Sequence, residues 1–119
     1  MYEILFSPQA ERFFKKIKDK SLKEAYKVSL LKLKENPYIG QPKRGDLAGI
    51  YGLDVKHKGV NYEIAYTINE ANGKKVIVLL AGTRENFLSS IYHYIWVTSW
   101  WQLYYRTGFI VKYYQIYIG

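Results

Sequence analysis

Five successive apolar residues, Val76-Ile77-Val78-Leu79-Leu80, do not fit a strand that keeps one face wet. Successive side chains of a strand point to opposite faces, so this segment needs apolar cover on both sides and is expected at the centre of a sheet. The run passes through Ala81 into a charged turn, Gly82-Thr83-Arg84-Glu85-Asn86-Phe87. An arginine at the end of a buried strand offers a permanent, planar positive charge that binds phosphate oxygens bidentately and is held more rigidly than on a free loop.

The segments before this run divide by period. Tyr2 to Phe6 reads as a first strand, and Ser7-Pro8 as an N-cap followed by proline at the first helical position. Ala10, Phe13, Phe14 and Ile17 then recur at helical spacing, leaving Arg12, Lys15, Lys16 and Lys18 mostly on another face. After Asp19-Lys20, Ser21 is a second N-cap candidate. Leu22, Ala25, Tyr26, Ser29, Leu30 and Leu33 keep helical period until Asn36-Pro37 stops it. Tyr38 to Gly49, with Gly40, Pro42 and Lys43-Arg44-Gly45-Asp46, reads as a surface loop.

From Ile50 the period becomes two. Tyr51, Leu53 and Val55 form one alternating set, and Tyr62, Ile64, Tyr66 and Ile68 another, joined by His57-Lys58-Gly59. Asn72-Gly73 is a favoured hairpin turn into the last strand. The fold expected is therefore α+β: a strand, a two-helix hairpin, then a three-stranded antiparallel meander with the helices on one face.

At 119 residues the chain is long enough to bury a core without disulfides, and it has no cysteine, which excludes thiolate zinc sites and cysteine nucleophiles and fits a reducing cytoplasm. Met1 to Phe6 lacks a basic leader, so an export signal is not expected. A formal charge of +8 favours polyanionic partners: RNA, DNA, an anionic membrane or an acidic protein. His57 and His93 lie far apart without metal-ligand spacing, and no phosphate-binding glycine loop is present. Neither a metal nor a nucleotide cofactor is expected.

Composition breaks after Phe87. Residues 88–119 hold no Asp or Glu, only Arg106 and Lys112 as strong bases, and eleven aromatics. This extension reads as strand-prone, with Arg106-Thr107-Gly108 as a candidate hairpin turn and membrane-surface contact left open. An altered reading frame beyond Phe87 would account for the break. The same tail encoded in independent natural isolates would sink that explanation.

Several features recur in a characteristic order through residues 1–87. They are the Tyr-Glu-Ile opening strand, Phe-Phe-Lys-Lys on the first helix, Leu-Lys-Glu-Asn-Pro-Tyr at the end of the second, Val60-Asn61-Tyr62-Glu63-Ile64-Ala65-Tyr66, and Ala81-Gly82-Thr83-Arg84-Glu85. In this order and spacing the chain resembles the RelE/ParE superfamily of bacterial type II toxins. The resemblance implies a toxin core over residues 1–87 that a cognate antitoxin silences in the cytoplasm. It implies a metal-independent endoribonuclease cutting ribosome-bound mRNA, with a ParE-like DNA gyrase inhibitor or a disabled toxin that keeps only antitoxin binding as alternatives.

The nuclease branch further implies that Arg84 and Lys56 stabilise phosphate charge, with Lys58 nearby. His57 would serve as acid or base provided that it does not share the core-facing parity of Val55. Lys15, Lys16, Lys18, Lys43 and Arg44 would dock on ribosomal RNA. The chain departs from the pattern at Asp54, where some nucleases carry lysine, and at Glu63, where many carry arginine. Tyr92 or His93 would have to supply the group that related toxins carry on a C-terminal helix.

Overall fold

The computed structural model describes residues 1–71 and 73–85. Its elements are β1 (Glu3–Phe6), α1 (Pro8–Lys16), α2 (Lys20–Glu35), β2 (Gln41–Pro42), β3 (Tyr51–His57), β4 (Val60–Asn69) and β5 (Lys75–Thr83), with short 3-10 turns at Pro37–Ile39 and Gly45–Leu47. The readings made for residues 88–119, including the hairpin at Arg106-Thr107-Gly108 and the roles of Tyr92 and His93, lie outside the described residues, as does Asn72.

The strands form one five-stranded sheet in the order β1-β5-β4-β3-β2. Strands β3, β4 and β5 make the expected antiparallel meander, whereas β1 pairs in parallel with β5, Ile4 opposite Val76 and Phe6 opposite Val78. This pairing puts β5 between β1 and β4, as its continuous apolar run requires.

Both helices lie on one face. Ser7 caps α1: its Oγ accepts from the Ala10 N–H at 3.1 Å and donates to the Leu79 carbonyl at 2.6 Å, joining the helix start to β5. Phe14, Tyr26, Leu30 and Leu33 then pack on Ile4, Phe6, Val55, Ile64, Tyr66, Val76 and Val78. Edge-to-face ring pairs run through this layer, Phe6–Phe14 at 5.4 Å, Phe14–Tyr26 at 5.2 Å and Tyr26–Tyr62 at 5.8 Å. Each fully buried aliphatic side chain here contributes about 1.5–3 kcal/mol, so the helix face is the main source of stability.

The opposite face explains the other half of the apolar run. Leu5, Ala65, Ile77 and Leu79 form a second, smaller cluster that Leu47 and Ile50 cover. The segment read as a plain surface loop therefore contributes Leu47 to the core, and its first part adds β2 to the sheet edge opposite Tyr51 and Gly52. The start of α2 also differs from expectation. Asp19, not Ser21, is the cap: its Oδ1 accepts from the N–H groups of Ser21 at 2.9 Å and Leu22 at 3.3 Å. A carboxylate one position before the first helical residue reaches these free donors, whereas Ser21 already lies inside the first turn.

Candidate active site

Strand parity sorts the candidate residues. Asp54 pairs with Glu63 and Glu63 with Gly82, so these positions share the face away from the helices, together with Gly52 and Lys56. Arg84 leaves the end of β5 on the same side, with Nη1 3.5 Å from Asp54 Oδ2.

His57 has the parity of Val55 and faces the helices. Its Nε2 is 3.0 Å from Ser21 Oγ and 3.5 Å from Asp19 Oδ2, at the turn between α1 and α2. Lys58 follows in a left-handed conformation, φ 50°, and its Nζ lies 3.7 Å from the same carboxylate. The condition set for His57 as acid or base beside Arg84 is thus not met: both residues clamp the β3–β4 turn to the start of α2. Asp19 gains from this setting, since hydrogen bonds from Ser21 and Leu22, aided by Lys58, hold its carboxyl well below the usual carboxylate range.

Lys56 is exposed on the cleft face, two residues along from Asp54. Lys15, Lys16 and Lys18 are exposed on or just after α1, with Lys15 paired to Glu11 at 2.8 Å. The structure separates Lys43 from this group. Its Nζ lies 3.4 Å from Glu63 Oε2, and it joins Gln41, Gly52, Asp54, Glu63 and Arg84 around a cleft of about 270 Å³. Arg44, next to it, is exposed. On its other side Arg84 borders a second concavity of about 490 Å³ with Gly59, Val60, Asn61, Thr83 and Glu85. Arg84 therefore stands between two hollows.

The two ion pairs of the cleft differ in kind. Arg84 and Asp54 side chains are 61% and 48% exposed, so their attraction is screened by water and a bound anion displaces Asp54 at small cost. Lys43 and Glu63 are 20% and 8% exposed. Burial pushes the Glu63 carboxyl above its ordinary range, and the neighbouring Asp54 adds to this, while Lys43 and then Arg84 act against it. In the sequence Glu63 belongs to the Val60 to Tyr66 run and departs from the family pattern, a carboxylate that would repel phosphate unless it acts as a base. The signal of its burial was present too: an acid on the strand that carries Ile64, Ala65 and Tyr66 is a charge in a buried setting.

Gly52 makes this arrangement sterically possible. A Cβ at this position would sit 2.9 Å from Glu63 Oε1 and 3.2 Å from Lys43 Nζ. The missing side chain leaves room for the carboxylate and ammonium to meet over the β3 backbone. Chemically, the cleft offers a guanidinium for phosphate oxygens and a carboxyl able to exchange a proton. Among the described residues no group of His, Asp and Glu is arranged to hold a metal ion. No helix among them is long and apolar enough to cross a membrane.

A two-helix hairpin on one side of a five-stranded mixed sheet is an α+β fold of the RelE-like kind. The RelBE2 toxin–antitoxin complex of Mycobacterium tuberculosis contains a similar chain, with a TM-score of 0.55 and 25% identity over 70% of this chain and 98% of that one. A free-state double arginine-to-alanine mutant of the Escherichia coli toxin RelE gives 0.61 at 21% identity over 77% and 90%. The family model of ParE-like toxins of type II bacterial toxin–antitoxin systems matches residues 4–92, and the chain belongs to this family. No curated protein matches the sequence. The protein is thus a toxin of RelE/ParE type.

Proposed function

We propose that the protein inhibits translation by cutting ribosome-bound mRNA, and that a cognate antitoxin silences it. The observation that carries this reading is the cleft that Arg84, loosely paired and more than half exposed, lines together with the buried carboxyl of Glu63. Cleavage of RNA without a metal needs its 2′-oxygen activated, the developing phosphorane charge stabilised and the leaving oxygen protonated. Arg84 and the nearby Lys56 supply the charge stabilisation. The exposed cations Lys16, Lys18 and Arg44, with Lys15, provide salt-sensitive contacts to ribosomal RNA. Likeness to a chain crystallised as a toxin–antitoxin complex supports the antitoxin as partner, and the absence of cysteine supports a cytoplasmic site of action.

The test is cleavage of ribosome-bound message by the purified chain and by Arg84→Ala. The mutant is expected to lose about 100-fold or more in rate while still sedimenting with ribosomes, because a charge-stabilising donor acts in the transition state. Unchanged cleavage would remove Arg84 from the mechanism. One observation favours a second reading: Lys43 and Arg84 each face a carboxylate, which weakens attraction for RNA and suits a gyrase inhibitor of the ParE kind or a toxin that only binds antitoxin. Gyrase-dependent DNA breaks with intact mRNA would establish the former. Tight antitoxin binding without either activity would establish the latter.

A further inference from the structure

Resting on the nuclease reading, we infer that Glu63 is the general base of the cleft and that Lys43 and Gly52 are its positioning residues. Three independent features converge on this carboxylate. It lines the same cleft as Arg84, so a phosphate held by the guanidinium brings its ribose within reach of Glu63. It is paired with Lys43 Nζ at 3.4 Å and occupies the space that Gly52 leaves open, where a Cβ would lie 2.9 Å from its Oε1. It is also the more buried carboxylate of the cleft, Asp54 being half exposed and spread toward solvent.

Position and protonation agree. A general base works best when its affinity for protons approaches the ambient pH, and burial moves Glu63 in that direction. The groups that face it from the surrounding elements are Lys43 before β3, Asp54 on β3 and Arg84 after β5. The two cations favour its charged form and Asp54 opposes it. Lys43 thus opposes the effect of burial on this carboxylate.

The step balances without a co-reactant beyond water. The Glu63 carboxylate takes the proton of the ribose 2′-hydroxyl as the 2′-oxygen forms a bond to phosphorus. The bond from phosphorus to the 5′-oxygen breaks, and that oxygen takes a proton from water. Protonated Glu63 then returns its proton to the hydroxide so formed, leaving a 2′,3′-cyclic phosphate and a 5′-hydroxyl. Arg84 neutralises the phosphorane-like charge throughout.

The experiment measures single-turnover cleavage of ribosome-bound message against pH for the wild-type chain, Glu63→Gln and Lys43→Gln, with ribosome sedimentation as the binding control. Glu63→Gln is expected to lose about 100-fold or more and the rising acid limb of the rate profile, with binding unchanged. Lys43→Gln keeps the base but removes the cation that favours its charged form, so its acid limb moves to higher pH. A purely structural pair would leave that limb where it was. If the wild type cleaves and Glu63→Gln stays within about threefold of it with the same profile, the inference fails while the nuclease reading stands. If Glu63→Gln does not fold, an unmoved limb in Lys43→Gln overturns the inference by itself. No cleavage by the wild type overturns both.

Discussion

Removing one hydroxyl from the core should loosen the segment that carries Lys43 into the cleft. Tyr66 is fully buried on β4, and its Oη donates to the Pro37 carbonyl at 2.6 Å while accepting from the Gly40 N–H at 3.1 Å. Burial pushes this phenol up to about 12, so it remains a donor throughout the neutral range. Tyr66→Phe keeps the ring, which stacks on Tyr51 at 5.6 Å, and therefore isolates the hydroxyl.

Leaving a buried partner unsatisfied costs about 1–3 kcal/mol, and here a donor and an acceptor both lose theirs. Some recovery is expected because Tyr38 and Ile39, between them, are partly open to water. The expected loss is about 2–3 kcal/mol, a fall of about 1–2 M in the urea midpoint at an unchanged slope of about 1.5 kcal/mol per M. Equilibrium urea unfolding followed by far-ultraviolet circular dichroism reads it. A loss below about 0.5 kcal/mol would refute the claim that this hydroxyl anchors the segment. Gly40→Ala supplies a cross-check: its Cβ would lie 2.2 Å from Tyr66 Oη and 2.9 Å from the Gly52 carbonyl oxygen. The double mutant should be less destabilised than the sum of the single changes, because loss of the Tyr66 hydroxyl removes the first clash and leaves the second.

Gly52→Ala should displace the Glu63–Lys43 pair and lower cleavage more than it lowers stability, which parallel rate and urea measurements would separate. Ser7→Ala removes both the α1 cap and the bond to Leu79, for an expected loss of about 1–3 kcal/mol by thermal or chemical unfolding. Asp19 contributes stability that is fully present above its unfolded pKa of 3.8 and is lost as pH falls through its lower folded value. Asp19→Asn should therefore flatten the acid limb of stability against pH. An identical limb in the mutant would show that the cap does not carry it. For Glu63 the sign reverses: its raised folded affinity for protons makes its contribution greatest at acid pH and smaller as pH rises toward neutrality, so Glu63→Gln should weaken that fall.

Much of the fold was legible because its signals are local. The Ser7-Pro8 cap, the helical spacing of Phe14 and of Tyr26, Leu30 and Leu33, and the two-residue period of β3 need only near neighbours to be read. The misreadings involved choices among neighbours or contacts across the chain. Ser21 and Asp19 are both good caps, and the structure selects the residue one position before the helix. The Tyr38 to Gly49 segment has loop composition, yet Leu47 and the following Ile50 cover the far side of the sheet because that face would otherwise remain wet.

The same division holds for the site. Hydrophobic period and residue order were enough to read β5 as central, Arg84 as following it, and the chain as resembling the toxin family whose model matches residues 4–92. Which side chains share a cleft depended on the packing of segments far apart in the chain. Strand parity turned His57 toward Asp19 and Ser21, while cross-strand register set Asp54 beside Glu63. Folding of the loop brought in Lys43, twenty residues away in sequence. Side-chain direction alternates along a strand, so a difference of one residue moves a group to the opposite face. Burial of Glu63, which gives a departure from the family pattern its chemical interest, arises from the packing around it.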